Sequence, residues 1–291
     1  MRESIDVNGA TRTFTVVDRE PAAERIRDLV MVFHGSKQTA EAHRRFTGGA
    51  FDALADDGST VVAYLDGHRG NWNDARKESS FPARTENADD VAFTRAVIDR
   101  LVATRHVDPT RVFVLGYSNG GQMVFRLIHE IPSLLAGAAA FSATMPSPES
   151  FIDPLPDAEP VPLPVLLIHG TADPIAPFQG GAMRRWARTL FRVGGTTLSM
   201  PRTAEYFAGR NGITAPPRTT RVSSPTTGRR PWIARTEYRQ ADRAPVVLFT
   251  VHGGGHTVPG PKAAPFVLGR TSSDISAAVE VASFLGIGGA R

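Results

Sequence analysis

Apolar positions along the chain fall into two kinds of segment that alternate. Short continuous runs rich in β-branched residues end at glycine-containing pairs, a pattern typical of buried parallel strands. Longer segments between them carry apolar residues at helical spacing. The alternation predicts an α/β fold, with a doubly wound, mostly parallel sheet and helices on both faces. The predicted strands are Glu3–Val7, Thr11–Val17, Leu29–Phe33, Val61–Leu65, Arg111–Leu115, Ala136–Phe141, Val165–Ile168 and Val246–Val251.

The first two predicted strands flank Asn8-Gly9, a dipeptide that favours a tight hairpin turn. The helical segments lie between the later strands, and each begins or ends near a residue suited to a helix terminus. The predicted helices are Thr39–Asp57, Ala88–His106, Asn119–Ile131, Pro201–Ala208 and Ser272–Leu285, the last with Ser272 or Ser273 as its N-cap.

Two segments fit neither pattern. Residues 144–164 contain seven prolines, and residues 201–244 include, after their short helix, a stretch rich in proline, arginine and threonine. A chain of this length can bury a large core as one unit. We therefore interpret both segments as irregular insertions into a single domain that spans residues 1–291.

Composition narrows the classes of function. The absence of cysteine excludes a disulfide framework, a cysteine nucleophile and a thiolate zinc site. With 33 basic and 29 acidic residues, the net charge of +4 is too small to indicate a nucleic-acid partner. The chain has neither an 18-residue apolar stretch nor an N-terminal leader pattern. We therefore expect no membrane association and a cytoplasmic location, or secretion if a leader has been removed.

The segment Gly116-Tyr117-Ser118-Asn119-Gly120 joins a predicted strand directly to a predicted helix. This context is typical of a nucleophile elbow, a strained turn that exposes a serine hydroxyl and needs small residues on either side. The alternative is a tight turn with a structural role only. We predict that Ser118 is a nucleophile.

A serine nucleophile needs a base that an acid orients. Asp173 and His256 each follow a predicted strand, in the chain order Ser, Asp, His of doubly wound hydrolases. The alternative role of Asp173 is a turn residue before Pro174. His256 is preferred over His252 as the base because three glycines precede it and let the loop curl over the sheet. Those glycines also exclude metal ligation by the two histidines, because that spacing requires a helix.

Two backbone N–H groups are predicted to form an oxyanion hole. One belongs to Asn119, directly after the nucleophile at a helix N-terminus. The other belongs to Ser36, which follows His34-Gly35 at the end of a predicted strand. The alternative is that His34-Gly35 merely ends that strand. Such chemistry requires no metal or cofactor.

With these motifs the chain resembles esterases of the α/β-hydrolase fold. The resemblance is to the polyhydroxybutyrate depolymerase-like, LpqC-type and feruloyl esterase group, carbohydrate esterase family 1. It extends from about Leu29 to Gly260 and includes the segments LVMVFHGS, LDGHRGNWND, HGTADPIAPFQGG and VHGGGHTVPG. The resemblance implies the same roles for Ser118, Asp173 and His256.

Trp72 and Val258 are candidates for substrate contact. Trp72 lies on the loop after the second buried strand and is a candidate to line an acyl pocket, the alternative being a packing role. Val258 stands where many relatives have a tryptophan, which puts an aromatic clamp in doubt there. Trp186 and Trp232 could contribute to a cap. Many relatives are also secreted and disulfide-bonded, which this chain does not indicate.

The sequence thus predicts a serine ester hydrolase of the carboxylesterase or polyester depolymerase type that acts through an acyl-enzyme on Ser118. The alternatives are a feruloyl or acetyl-xylan type esterase, a peptidase or acyltransferase, and a non-catalytic binding protein. We expect a small or oligomeric ester as substrate. The identity of that ester and the oligomeric state are left open.

Overall fold

A ten-stranded sheet runs through the computed structural model, which describes residues 1–19, 26–152, 160–183, 186, 188–189, 193–222 and 231–289. Its strands are β1 (Arg2–Val7), β2 (Ala10–Val17), β3 (Arg27–Phe33), β4 (Thr60–Leu65), β5 (Val107–Tyr117), β6 (Gly137–Phe141), β7 (Val165–Gly170), β8 (Arg218–Arg221), β9 (Trp232–Tyr238) and β10 (Val246–His252). The order across the sheet is β1-β2-β4-β3-β5-β6-β7-β10-β9-β8.

The centre of the sheet is parallel and its two edges are antiparallel. Strands β4, β3, β5, β6, β7 and β10 run in the same direction. The β1–β2 hairpin joins β4 on one side, and β9 and β8 join β10 on the other. The predicted doubly wound, mostly parallel sheet is confirmed. All six central strands therefore end at the same edge, where ligands bind in folds of this kind.

Helices cover both faces of the sheet. Within the described residues they are α1 (Ala40–Phe46), α2 (Pro82–Thr85), α3 (Asp90–Arg105), α4 (Asn119–Glu130), α5 (Met200–Arg210) and α6 (Ala277–Leu285). Alternate side chains of a strand point to opposite faces. In β3, Met31 joins the core shared with α3, α4 and α5, whereas Val30 joins the core shared with α1 and α6. None of the described helices is long and apolar enough to cross a membrane.

Two predicted helices have different bounds. The helix predicted over Thr39–Asp57 is wrong, because α1 ends at Phe46 and Gly48 and Gly49 follow with φ of 68° and 71°. Only a 3₁₀ turn, Asp52–Ala55, continues the helical spacing. The C-terminal helix α6 begins after Ser276, not after Ser272 or Ser273.

The segment 201–244 is less irregular than predicted. The helix predicted over Pro201–Ala208 is confirmed as α5, whereas the strands β8 and β9, which extend the sheet beyond β10, were not predicted. Strand β8 has the sequence Arg-Thr-Thr-Arg and lies at the exposed edge of the sheet. It therefore lacks the apolar run from which a strand can be predicted. In the proline-rich segment 144–164 the structure has a 3₁₀ turn, Pro148–Ser150, and residues 153–159 lie outside the described residues.

Three buried histidines predict a loss of stability in acid. Burial lowers the pKa of His34 and of His129 to about 4, and that of His43 to about 3. Below about pH 6.5 the unfolded chain binds protons at these residues and the folded chain does not. The free energy of unfolding should therefore fall as the pH is lowered from about 6.5 to 4, by up to about 1.4 kcal/mol per pH unit for each histidine.

Urea unfolding at pH 7, 6 and 5 measures this dependence. Replacing His129 with Gln should make the slope shallower, whereas replacing the exposed His106 with Asn should leave it at the parental value. An unchanged slope in the His129→Gln protein would contradict the assignment.

Candidate active site

Ser118 lies in the sharp turn between β5 and α4, with φ 54° and ψ −115°. Such a conformation is strained for a residue with a side chain and concentrates at functional sites. A Cβ on Gly116 would lie 2.2 Å from the Gly120 carbonyl oxygen, and one on Gly120 would lie 2.0 Å from that of Phe33. Only glycine fits at either position. The turn thus has the strand–turn–helix geometry of a nucleophile elbow.

The three residues predicted as a triad are in hydrogen-bond contact. His256 Nε2 lies 2.8 Å from Ser118 Oγ, and His256 Nδ1 lies 2.7 Å from Asp173 Oδ2. The other carboxylate oxygen, Oδ1, accepts the N–H groups of Ile175 and Ala176, each at 2.8 Å. Because a carboxylate can only accept, Nδ1 carries the proton and Nε2 is free to accept the serine hydroxyl.

The environment keeps the Asp173 carboxyl group ionised. Burial opposes its charge, but the electrostatic interaction with His256 and the hydrogen bonds that the carboxylate accepts outweigh that effect, and the pKa of Asp173 is lowered overall. A further histidine that the sequence reasoning did not assign, His169, lies 3.4 Å from Asp173 Oδ2 and contacts the Ala176 carbonyl oxygen at 2.9 Å. Burial lowers the pKa of His169.

The other candidate base is not part of this arrangement. The ring of His252 stacks on that of Trp232, with 3.7 Å between ring centroids and 7° between planes. Arg221 lies over the same indole ring, 4.4 Å from its centroid. Trp232 is therefore enclosed between the side chains of His252 and Arg221.

The two tryptophans predicted as cap residues lie away from Ser118. Trp186 is 49% exposed, and neither it nor Trp232 lines the cavity at Ser118. Neither contributes to a cap over that cavity.

Glycines bring the Asp173 and His256 loops together. A Cβ on Gly170 would lie 2.3 Å from the Gly254 carbonyl oxygen, and one on Gly255 would lie 2.1 Å from that of Leu268. The Ala172 N–H donates to the Gly254 carbonyl oxygen at 2.9 Å. The two loops therefore pack main chain against main chain, which fixes the distance between acid and base.

The two N–H groups predicted as an oxyanion hole have no acceptor within the described part of the chain. The neighbours of Ser36 are both used: the Gly35 N–H donates to Gln38 Oε1 at 3.1 Å, and the Lys37 N–H donates to the Gly70 carbonyl oxygen at 2.7 Å. Asn119 is the first residue of α4, where a backbone N–H has no partner in the helix.

Trp72 is completely buried and does not line the cavity, which corrects its assignment to an acyl pocket. Its Nε1–H donates to the His34 carbonyl oxygen at 2.8 Å, and its backbone N–H donates to Asn119 Oδ1 at 2.9 Å. Its ring packs edge-on against Phe33, with centroids 5.1 Å apart. Trp72 therefore ties the Ser36 loop to the nucleophile elbow.

Two more residues that sequence reasoning missed support the same loops. His34 Nε2 accepts the Gly67 N–H at 2.9 Å. Tyr117 donates its hydroxyl to the His256 carbonyl oxygen at 2.8 Å, and its ring leaves no room for a Cβ on Gly35. Tyr117 lies within the elbow motif. Its position next to Ser118 is the sequence signal that could have indicated its supporting role.

A cavity opens at Ser118 and His256. Most of its wall is small or apolar. The polar side chains that line it from outside the triad, among the described residues, are those of Arg76, Gln122, Ser142, Thr144 and Thr197. Val258 is only 7% exposed and packs into the core on the α1 and α6 face, which corrects its assignment to substrate contact. Its neighbour Thr257 uses its carbonyl oxygen to accept the Ser142 hydroxyl.

The position of Trp72 predicts that a smaller ring there destabilises the protein. In a Trp72→Phe variant the buried carbonyl oxygen of His34 loses its donor, and the free energy of unfolding should fall by about 1–3 kcal/mol. The same substitution at exposed Trp186 should stay within about 0.5 kcal/mol of the parent. Urea unfolding of both variants tests this, and an equal loss in the two would contradict the role of Trp72.

The amino-acid sequence of the chain is similar to those of known and putative ester hydrolases. The chain is 33% identical over 287 residues to "Putative esterase NocK" of Nocardia uniformis subsp. tsuyamanensis, covering 96% of this chain and 80% of that protein. It is 31% identical over 129 residues to feruloyl esterase B of Piromyces equi, which covers 44% of this chain but 23% of that protein. It is 29% identical over 112 residues, 38% of this chain and 26% of that protein, to poly(3-hydroxyalkanoate) depolymerase C of Paucimonas lemoignei.

Among solved structures, an acetyl xylan esterase from Aspergillus awamori matches 89% of this chain and 95% of its own, with a TM-score of 0.59 and 16% identity. That likeness confirms the α/β-hydrolase fold. The phospholipase/carboxylesterase family matches residues 67–191, which include the elbow and Asp173. Together with the similarity to NocK along nearly the whole length, this shows that the chain belongs to the esterases of the phospholipase/carboxylesterase family, on the α/β-hydrolase fold.

Proposed function

We propose that this chain cleaves carboxylic esters through an acyl-enzyme on Ser118. The observation that supports this most strongly is the single imidazole, that of His256, which contacts Ser118 Oγ at 2.8 Å and Asp173 Oδ2 at 2.7 Å. His256 Nε2 takes the hydroxyl proton as Oγ attacks the ester carbonyl carbon. Asp173 holds the tautomer and stabilises the imidazolium that forms.

The remaining steps follow from the same groups. The Ser36 and Asn119 N–H groups donate to the oxyanion of the tetrahedral intermediate. His256 returns its proton to the alcohol oxygen, the bond between that oxygen and the acyl carbon breaks, and the alcohol leaves. Water then adds to the acyl-enzyme with His256 as base, and the carboxylic acid is released with Ser118 restored.

For the substrate, we propose the range acted on by the polyhydroxybutyrate depolymerase-like and feruloyl esterase group. The partial matches to a feruloyl esterase and a poly(3-hydroxyalkanoate) depolymerase support this choice, as does the order of motifs around the site. A panel of p-nitrophenyl acetate, methyl ferulate, acetylated xylan and a hydroxybutyrate oligomer ranks these possibilities by kcat/KM. Turnover of the p-nitrophenyl ester alone would contradict membership of that group.

Covalent labelling tests the nucleophile directly. A fluorophosphonate probe should label the parent protein and leave the Ser118→Ala variant unlabelled, because only an activated serine reacts. The parent should also turn over p-nitrophenyl butyrate far faster than the matching anilide, since the amide is the harder acyl donor. Labelling that persists without Ser118 would exclude this nucleophile, and comparable rates on the two substrates would indicate a peptidase.

The hydrogen bonds of Asp173 predict that replacing its carboxylate with an amide lowers kcat strongly. In Asp173→Asn the two N–H groups that bond Oδ1 should hold the amide oxygen there, so the NH₂ group replaces Oδ2 and faces His256 Nδ1. The imidazole must then carry its proton on Nε2, where it cannot accept the serine proton. We expect kcat to fall about 10⁴-fold.

Initial rates with p-nitrophenyl butyrate measure this loss. Asp242→Asn makes the same chemical change at an exposed residue with positive φ, which Asn tolerates, and should retain the parental rate. A loss below tenfold in Asp173→Asn would contradict the role of Asp173.

A further inference from the structure

One side chain in the cavity wall has a buried acceptor without a donor. Gln122 lies one turn after Ser118 on α4 and is 5% exposed. Its amide nitrogen donates to the Thr144 carbonyl oxygen at 2.8 Å. Because a carbonyl oxygen can bond only the NH₂ end, this contact fixes the orientation of the amide. The Gln122 Oε1 atom has no hydrogen-bond partner among the described residues.

An unpaired buried acceptor is uncommon in folded proteins and calls for a physical reason. Gln122 and Thr144 both line the cavity that opens at Ser118 and His256. The triad reaction itself makes no use of Gln122. A group of the bound substrate is therefore the partner that the position of this amide suggests.

Arg76 supplies a donor to the same cavity. Its Nε lies 3.1 and 3.2 Å from the two carboxylate oxygens of Asp74, and its Nη2 also bonds Asp74. Asp74 is completely buried and accepts a second bond from the side chain of Asn119. The guanidinium is thus held in place by Asp74, which also bonds the residue next to the nucleophile, and Nη1 donates to no residue in the described ranges.

We propose that Gln122 and Arg76 form a polar subsite for a hydroxyl group carried by the ester next to its scissile bond. The hydroxyl donates to Gln122 Oε1 and accepts from Arg76 Nη1. A carboxylate fits less well, because Asp74 already balances the Arg76 charge and Oε1 would face another acceptor. An alkyl chain would leave Oε1 unpaired. The proposal rests on the ester hydrolase function proposed above.

The hydroxyl could belong to the acyl part or to the alcohol part of the ester, and two substrate pairs distinguish these sources. The acyl pair is methyl 3-hydroxybutyrate and methyl 3-methoxybutyrate. The alcohol pair is 2-hydroxyethyl butyrate and 2-methoxyethyl butyrate. Within each pair the methoxy compound keeps the acceptor oxygen and loses the donor, which isolates the bond to Gln122.

For the parent protein we expect kcat/KM to be about 3- to 10-fold higher for the hydroxy member of one pair, the range of a neutral hydrogen bond. A Gln122→Met variant keeps the length of the side chain and removes the acceptor, so the preference should disappear. Gln179→Leu, at an exposed residue of a loop beside the cavity, is the matched control and should retain the preference. Fluorophosphonate labelling of Ser118 shows that each variant is folded.

The outcomes separate this proposal from the function on which it rests. Equal rates within both pairs for the parent protein would overturn the subsite while leaving the esterase intact. A preference that survives in Gln122→Met would also overturn it. No turnover of any of the four esters together with no labelling of Ser118 would instead contradict the ester hydrolase function.

Discussion

Close approach of main chains at a few glycines sets the geometry on which the rest of the site depends. Gly120 lies against the carbonyl of Phe33, and Gly170 lies against that of Gly254. At each place a single Cβ would overlap a backbone oxygen. The contact cannot be relieved by moving a side chain, since the atom in the way belongs to the main chain. Strand ends are thereby held near enough for Ser118, His256 and Asp173 to share hydrogen bonds.

Buried polar contacts then turn this proximity into a fixed orientation. The indole of Trp72 and the amide of Asn119 join the Ser36 loop to the elbow, and Tyr117 joins the elbow to the His256 loop. Each bond lies in the interior, where a lost partner is costly and alternative partners are absent. The same burial makes the neutral form of His34 a condition of the fold, because a protonated Nε2 could not accept the Gly67 N–H.

The strands and the three residues of the triad could be predicted because their signals are local. A buried parallel strand is a continuous apolar run, and Ser118, Asp173 and His256 each follow one within a few residues. Trp72 and Val258 were assigned wrongly because sequence gives a residue's place on a loop but not the direction of its side chain. Strand β8 was missed since its polar edge lacks apolar periodicity, and the helix after Thr39 was overextended because helical spacing continues across Gly48 and Gly49.

Helix α4 places the reacting atom and the unpaired acceptor on one rigid element. Ser118 is its N-cap and Gln122 follows four residues later, about 6 Å along the axis, and both residues line the same cavity. The strain at Ser118 fixes the start of the helix, and the Thr144 carbonyl fixes the Gln122 amide. A substrate hydroxyl bonded to Gln122 would therefore be held at a set distance from Ser118 Oγ without a movement of the protein. Selectivity at this site then depends on the position of the hydroxyl along the ester. The triad reaction at the carbonyl carbon does not by itself discriminate between esters that differ in that position.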